Sequence, residues 1–269
     1  MNKTVLITGA CINTGVAIVG KFASEGYDVV FTGRSAEKVH AAEKQYREKF
    51  PEVNIIGYHI DSLIDERTVD EKSIEDMFSD LDKKGIFVET MVLNAADQGL
   101  GIEIFENPLT DFMRVINTNM TWNYCLCEHA AKRMKGNGGG NIIFINSNTA
   151  YRVIPDRIAY SASKSGQLGM VRALAFDLGK YNIRVNAVLP GMIKTDRWEK
   201  NPEFYKNVPS RFTPIGDVAV VEDIADAVWY FAAHSRNTTG AELVVDGGNT
   251  IQLYPITNNK ELVYTCPAL

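Results

Sequence analysis

The chain has 269 residues, 45% hydrophobic and 23% charged, a globular balance that excludes a disordered or fibrous protein. Its formal charge of -5 lacks the basic footprint needed to neutralise phosphate backbones, so no nucleic acid partner is expected. The apolar run near the N-terminus is too short for a signal peptide and no run approaches membrane-spanning length, so the expectation is a cytoplasmic protein with no membrane partner.

No linker-like stretch, block of like charge or internal repeat divides the sequence, which predicts one domain over 1–269. Cys11, Cys125, Cys127 and Cys266 are too scattered for a disulfide framework, and His40, His59, His129 and His234 show no ligand-like spacing. The expected chemistry is therefore metal-free.

Short β-branched runs alternate with segments of helical period. Thr4 to Thr8, Val29 to Thr32, Val53 to Ile60, Thr90 to Leu93, Asn141 to Asn146, Arg184 to Leu189 and Glu242 to Val245 read as strands. They are apolar on both faces, as a parallel sheet covered by helices requires. The pattern predicts an α/β protein, a Rossmann-type doubly wound sheet of about seven strands with helices on both faces. Such sheets bind ligands beyond the carboxyl ends of their strands, so each strand end is a candidate.

After the first strand comes Thr8-Gly9-Ala10-Cys11-Ile12-Asn13-Thr14-Gly15, then a helix from about Val16 to Glu25. Glycines here permit a tight turn or close approach to a phosphate, and the helix N-terminus offers free N–H groups; a purely structural turn is the rival reading. The second strand ends Gly33-Arg34-Ser35 without a carboxylate. Gly33 leaves room, Arg34 offers a donor fork and Ser35 a hydroxyl, a set suited to a 2′-phosphate, so NADP(H) is favoured over NAD(H). The rival is a solvated arginine in a loop.

The third strand closes with Asp61-Ser62, candidates for the adenine, followed by a charged segment from Asp65 to Lys72 read as a solvated loop. The fourth closes with Asn94-Ala95-Ala96, where small residues let the chain pass beside a cofactor and the Asn94 amide can join adjacent strands. The fifth closes with Ser147, and thirteen residues later Tyr160 and Lys164 lie four apart on one helical face. A phenol titrates near ~10, and an adjacent ammonium lowers that value, making Tyr160 usable as an acid/base at neutral pH. Ser147, if opposite, hydrogen-bonds the substrate oxygen as charge develops. The sixth strand ends Pro190-Gly191, and the segment to Pro214 carries Trp198, Phe204, Tyr205 and Phe212 like a substrate lid over about 192–214.

Together these segments resemble the classical short-chain dehydrogenase/reductase family from Lys3 to about Asn249. The match rests on the Thr8 to Gly15 turn, Asn94-Ala95-Ala96, Asn119, Ser147, the Tyr160/Lys164 pair, Pro190-Gly191 with Thr195, and Asp246-Gly247-Gly248. The resemblance implies a catalytic tetrad: Tyr160 as acid/base, Lys164 lowering its pKa and holding the nicotinamide ribose, Ser147 polarising the carbonyl, and Asn119 anchoring a proton-relay water. It also implies nicotinamide contacts from Ile193 and Thr195, a small carbonyl or alcohol substrate, direct hydride transfer, and a homodimer or homotetramer packed on the helices carrying Asn119 and Tyr160.

Three features depart from the family. Asn13 replaces a middle glycine, Leu93-Asn94-Ala95-Ala96-Asp97 stands where Asn-Asn-Ala-Gly is usual, and an extension over about 250–269 continues past the usual end; its part from Gln252, with Tyr254-Pro255 and Tyr264, is expected to cover the substrate mouth or a neighbouring subunit. Asn13 motivates a rival function, a catalytically weak NADP-binding sensor or scaffold. The substrate is left open among 3-oxoacyl thioesters, sugars or polyols and steroid-like ketones; Arg152, Arg157, Lys194, Arg197 and Arg211, mixed with acids, favour an anionic one weakly.

Overall fold

The computed structural model describes residues 2–65, 67–100, 104–106, 109–206 and 211–253. Seven parallel strands form one sheet in the order β3-β2-β1-β6-β7-β8-β9. They are β1 Thr4–Ile7, β2 Asp28–Gly33, β3 Ile55–His59, β6 Val88–Leu93, β7 Gly140–Ile145, β8 Ile183–Pro190 and β9 Glu242–Val245. Each overlaps one of the runs read from the sequence.

Successive strand residues face opposite sides, so each strand feeds two cores. Val5, Ile7, Val29 and Phe31 pack with α1 (Asn13–Ser24), α2 (Ala36–Lys49) and α9 (Val221–Trp229). Leu6, Val30, Met91 and Phe144 pack with α3 (Glu71–Lys83), α5 (Trp122–Gly136) and α6 (Ile158–Gly179) on the other side. This two-sided burial explains why the strands read as apolar runs.

The charged segment after β3 is not simply a solvated loop. Leu63–Asp65 (β4) and Thr68–Val69 (β5) form a small antiparallel ribbon, because the Asp65 carboxylate accepts from the backbone of Arg67 and Thr68 and closes the turn. Asp70 then caps α3 by accepting from the Ser73 N–H.

Helix α4 (Leu109–Ile116) runs into α5 through one wider turn, Asn117–Thr121. Side chains enter the ladder there: the Asn119 carbonyl accepts from the Asn123 amide at 2.8 Å and from the Gln167 amide at 2.6 Å. Such insertion is a recognised cause of a widened turn. Two short helices, α7 (Asp196–Lys200) and α8 (Pro202–Tyr205), follow β8, with Trp198 stacked on Tyr205.

The chain winds from β1 out to β3, then crosses back to β6, so the winding reverses between β1 and β6. A crevice at such a reversal is where open α/β sheets bind ligands.

Candidate active site

At the end of β1 the Thr8 hydroxyl, fully buried, accepts from the N–H groups of Asn94 and Ala95 at 2.9 and 3.0 Å. The Asn94 amide donates to the carbonyls of Thr8 and Gly9, so Asn94 does join adjacent strand ends. Gly9 takes a φ of +65°, and a Cβ there would stand 2.9 Å from the Ala95 Cα. At Gly15 a Cβ would stand 2.6 Å from both the Ala10 Cα and the Gly9 carbonyl oxygen. Helix α1 starts at Asn13, three residues before the sequence suggested, so Asn13, Thr14 and Gly15 form its first turn. That turn carries no acid and no side-chain cap, leaving its N–H groups for an anion. Asn13 adopts a φ of +48°, a left-handed angle asparagine tolerates, so the glycine-type turn survives the replacement. The cradle fits a dinucleotide pyrophosphate.

The tip of β2 differs from expectation at Gly33 and at Ser35. Gly33 does not leave room for a ligand: the Cys11 sulfur stands 2.5 Å and Val39 2.8 Å from where its Cβ would be. Cys11 belongs to the first turn, so Gly33 is small in order to seat that turn. Burial raises the Cys11 pKa, against a lowering by nearby Lys38. Arg34 is exposed, and Ser35 is committed as the α2 cap, its hydroxyl accepting from the Lys38 N–H. At the β3 tip Asp61 bonds back to the Ser62 N–H, and the Ser62 hydroxyl pairs with Thr118. Ser62 therefore faces the wider turn rather than standing open for an adenine.

The tetrad residues converge from β7, α6 and the wider turn. Ser147 hydrogen-bonds the Tyr160 phenol. Lys164 lies on the same face of α6, its nitrogen 5.6 Å from the centre of the Tyr160 ring. The expected lowering of the Tyr160 pKa is not what the geometry gives. Burial raises it, while Ser147 and Arg157 pull it down by less. Lys164 cannot offset the burial because it is itself buried, its pKa pulled down to about 7 by desolvation, with its nitrogen donating to the Ile145 carbonyl at 2.8 Å.

Asn119 is completely buried. Its side chain clamps Asp97, accepting from the N–H at 2.8 Å and donating to the carbonyl at 2.9 Å, and also donates to Ser163. Asp97 pairs with Arg114. The water-anchoring role implied for Asn119 meets an obstacle, because its carbonyl already accepts from Gln167 and Asn123.

Around the sixth strand, Gly191 is pressed against Asp246, whose Cβ would be 2.5 Å from a Cβ at Gly191. Pro190 ends β8, Ile193 bridges to Ala219, and Thr195 precedes α7 with its hydroxyl uncommitted as a cap. Asp246 accepts from the N–H groups of Gly248 and Thr250 and from Asn148. Two of the basic residues suggested for an anionic substrate are engaged otherwise. Arg152 donates to the carbonyls of Thr250 and Gln252, and Arg157 to that of Gln98. Gln252 also donates to the Phe212 carbonyl, tying the end of the described chain to the segment after β8. Tyr254, Pro255, Tyr264, Cys266 and the rest of 254–269 lie outside the described residues, as do residues 207–210.

Asn146, Asn123 and Gln167 were missed by the sequence reading. A signal existed for Gln167: with Tyr160 and Lys164 it completes an i, i+4, i+7 row on one helical face.

The model of a family described as enoyl-(acyl carrier protein) reductase matches residues 9–250. An uncharacterized oxidoreductase of Thermotoga maritima is 32% identical over 258 residues, covering 93% of this chain and 97% of that one. A 3α-hydroxysteroid dehydrogenase of Mediterraneibacter gnavus is 32% identical over 249 residues, covering 91% and 96%. Among solved structures, ElxO with NADP bound superposes with a TM-score of 0.84 at 28% identity, covering 94% of this chain and all of that one. With the glycine cradle, the reversal point and the Ser147/Tyr160/Lys164 convergence, these matches show that the chain belongs to the short-chain dehydrogenase/reductase family of oxidoreductases that transfer hydride between alcohols and ketones.

Proposed function

We propose that the chain is an NADP(H)-dependent carbonyl reductase acting on a bulky apolar ketone. The observation that carries the cofactor choice is the β2 tip: no carboxylate follows Gly33, and the exposed guanidinium of Arg34 stands there instead, with Lys38 near the first turn. The next acid along the chain, Glu37, is exposed in the first turn of α2. The cofactor supplies or accepts the hydride when bound in the cradle of Gly9, Asn13, Thr14 and Gly15, with Asn94, Ala95, Ala96, Pro190, Gly191, Ile193 and Thr195 lining its path.

The chain's own residues handle the proton. In reduction the Tyr160 phenol gives its proton to the carbonyl oxygen as the hydride reaches the carbon, and Ser147 donates a hydrogen bond to the same oxygen. Burial, which keeps the phenol protonated, suits this direction.

Support for an apolar ketone comes from the segment after Ser147 and the end of the described chain. Val153, Ile154 and Leu253 are all exposed there, while Arg152 and Arg157 are bonded to carbonyls. A steroid-like or acyl ketone fits such a rim better than a sugar. The reading includes one catalytic domain with a lid over 192–214, a cytoplasmic location, and a homodimer or homotetramer on α5 and α6. Tyr124 and Phe176, exposed on those helices, support the assembly. The left-handed angle of Asn13 favours the enzyme over a sensor or scaffold, for which Asn13 is the only motive.

The test is to titrate the protein with NADPH and with NADH, follow nicotinamide fluorescence, and repeat with Arg34→Asp. Each charge-assisted hydrogen bond lost is worth about 1.5–3 kcal/mol, so the NADPH preference should fall by about tenfold or more. Equal binding of both by the parent protein removes the cofactor assignment. NADPH consumption with apolar ketones, against sugars and short ketones, then tests the substrate class.

A further inference from the structure

Gln167 lies at the centre of the catalytic face, 1% exposed, with both ends of its amide engaged. Its nitrogen donates to the Asn119 carbonyl at 2.6 Å. Its oxygen accepts from the Asn146 amide at 3.0 Å and from the Lys164 ammonium at 3.3 Å. The same Asn146 amide donates to the Lys164 carbonyl at 2.9 Å, and its oxygen receives the Ser147 N–H at 2.7 Å. One side chain thus joins the backbone of Asn119, the side chain of Lys164 and, through Asn146, the backbone of Ser147.

We propose that Gln167 is a positioning residue of the hydride-transfer site, which holds the Lys164 nitrogen beneath Tyr160 and takes up the Asn119 carbonyl in place of a water. The proposal builds on the oxidoreductase reading given above. Two acceptors hold the ammonium, the Ile145 carbonyl at 2.8 Å and the Gln167 oxygen at 3.3 Å. A third N–H is left for a ligand hydroxyl. The second acceptor matters because Lys164 is fully buried and desolvation already pulls its pKa down to about 7. Acceptors that bond the charged form favour it, so removing one must lower that value further. The titratable group facing Lys164 is Tyr160 on its own helix, with Arg157 beyond it; from β7 it meets the Ile145 carbonyl and on α6 the Gln167 amide oxygen, neither of them charged.

The orientation of the amide follows from its partners. Asn119 offers only a carbonyl at this point, so the Gln167 nitrogen must face it, and the oxygen must face the two donors. With Asn123 also donating, both lone pairs of the Asn119 carbonyl are occupied.

The test uses lysine labelled with 13C at Cε in the full chain, the Lys164 resonance being assigned by its loss in Lys164→Met. Gln167→Leu keeps the volume and removes the acceptor, so the Lys164 midpoint should fall by half a unit or more. Gln167→Glu places a carboxylate beside the ammonium and should raise the midpoint, which covers the case in which the leucine variant does not fold. In turnover with NADPH and a ketone, the alkaline limb of the kcat profile should move the same way, with KM for the ketone little changed. An unchanged Lys164 midpoint in either folded variant overturns the proposal and leaves Gln167 a packing residue. If the parent protein consumes NADPH with no carbonyl while the midpoint moves as described, the proposed function fails and the role of Gln167 in holding Lys164 stands.

Discussion

The two sides of the crevice are built from different material. Toward β1 and β2, the cofactor cradle is backbone: Gly9 and Gly15 have no space for a Cβ, the first turn of α1 presents N–H groups, and Arg34 and Lys38 stand exposed at the rim. Toward β7 and α6, the catalytic face is side chain: Asn119, Asn146, Lys164 and Gln167 are each at most 3% exposed and hydrogen-bonded to one another. A backbone cradle recognises what all dinucleotides share and leaves the choice among them to a rim that can change without disturbing the fold. A buried polar network has no such freedom, since a missing partner leaves a desolvated group unpaired.

The sharpest separation of the two sides is Tyr160→Phe. It should lower kcat by about 10²–10⁴, the range for a lost general acid, and leave the NADPH dissociation constant nearly unchanged. Steady-state kinetics with a fluorescence titration would check this, and a large loss of NADPH binding would break the division between the two sides. The converse is Gly15→Ala, which forces a methyl to within 2.6 Å of backbone atoms. Overpacking of this kind costs about 1–3 kcal/mol, so a lower Tm and at least tenfold weaker NADPH binding are expected, with substrate recognition unaffected. Retained NADPH affinity would show that the cradle is not set by backbone proximity.

Lys164 supplies a test through pH. Its folded pKa is about 7 against an ordinary 10.5, so between those values the unfolded chain binds more protons and stability rises with pH. Stability tied to this group is present above 10.5 and is lost as pH falls toward 7. Lys164→Met should therefore melt higher than the parent protein near pH 6–7, with the gap closing toward pH 10, while catalysis is lost at every pH. Thermal melts across that range would show a constant gap if Lys164 were paired with a buried carboxylate.

Much of this division was legible in the sequence. The seven strands were readable because residues such as Val29, Val30 and Phe31 are buried on alternate faces and so read as unbroken apolar runs. Tyr160 and Lys164 were readable because helical spacing alone puts them on one face. What was hidden depends on contacts across elements. Gly33 looked like space for a ligand, but Cys11, distant in sequence, fills it. The charges of Asp65 and Arg67 suggested a loop, but the Asp65 carboxylate folds the chain into a turn between two short strands. The helical pair also suggested that Lys164 lowers the Tyr160 pKa; burial, invisible at that level, acts against both groups.

The smallest effect is predicted at Asn13. A non-glycine residue at a φ of +48° stores at most about 1 kcal/mol when it is asparagine, and Asn13→Gly releases that while giving the unfolded chain more freedom. The two changes oppose one another, so the Tm should move by no more than a few degrees. The Asn13 side chain makes no hydrogen bond among the described residues, and the anion-binding groups of this turn are backbone N–H donors that glycine keeps. NADPH affinity should therefore change by less than about threefold, under 1 kcal/mol. A tenfold weakening would mean that the Asn13 amide holds the pyrophosphate itself. The cradle would then share the side-chain character of the catalytic face.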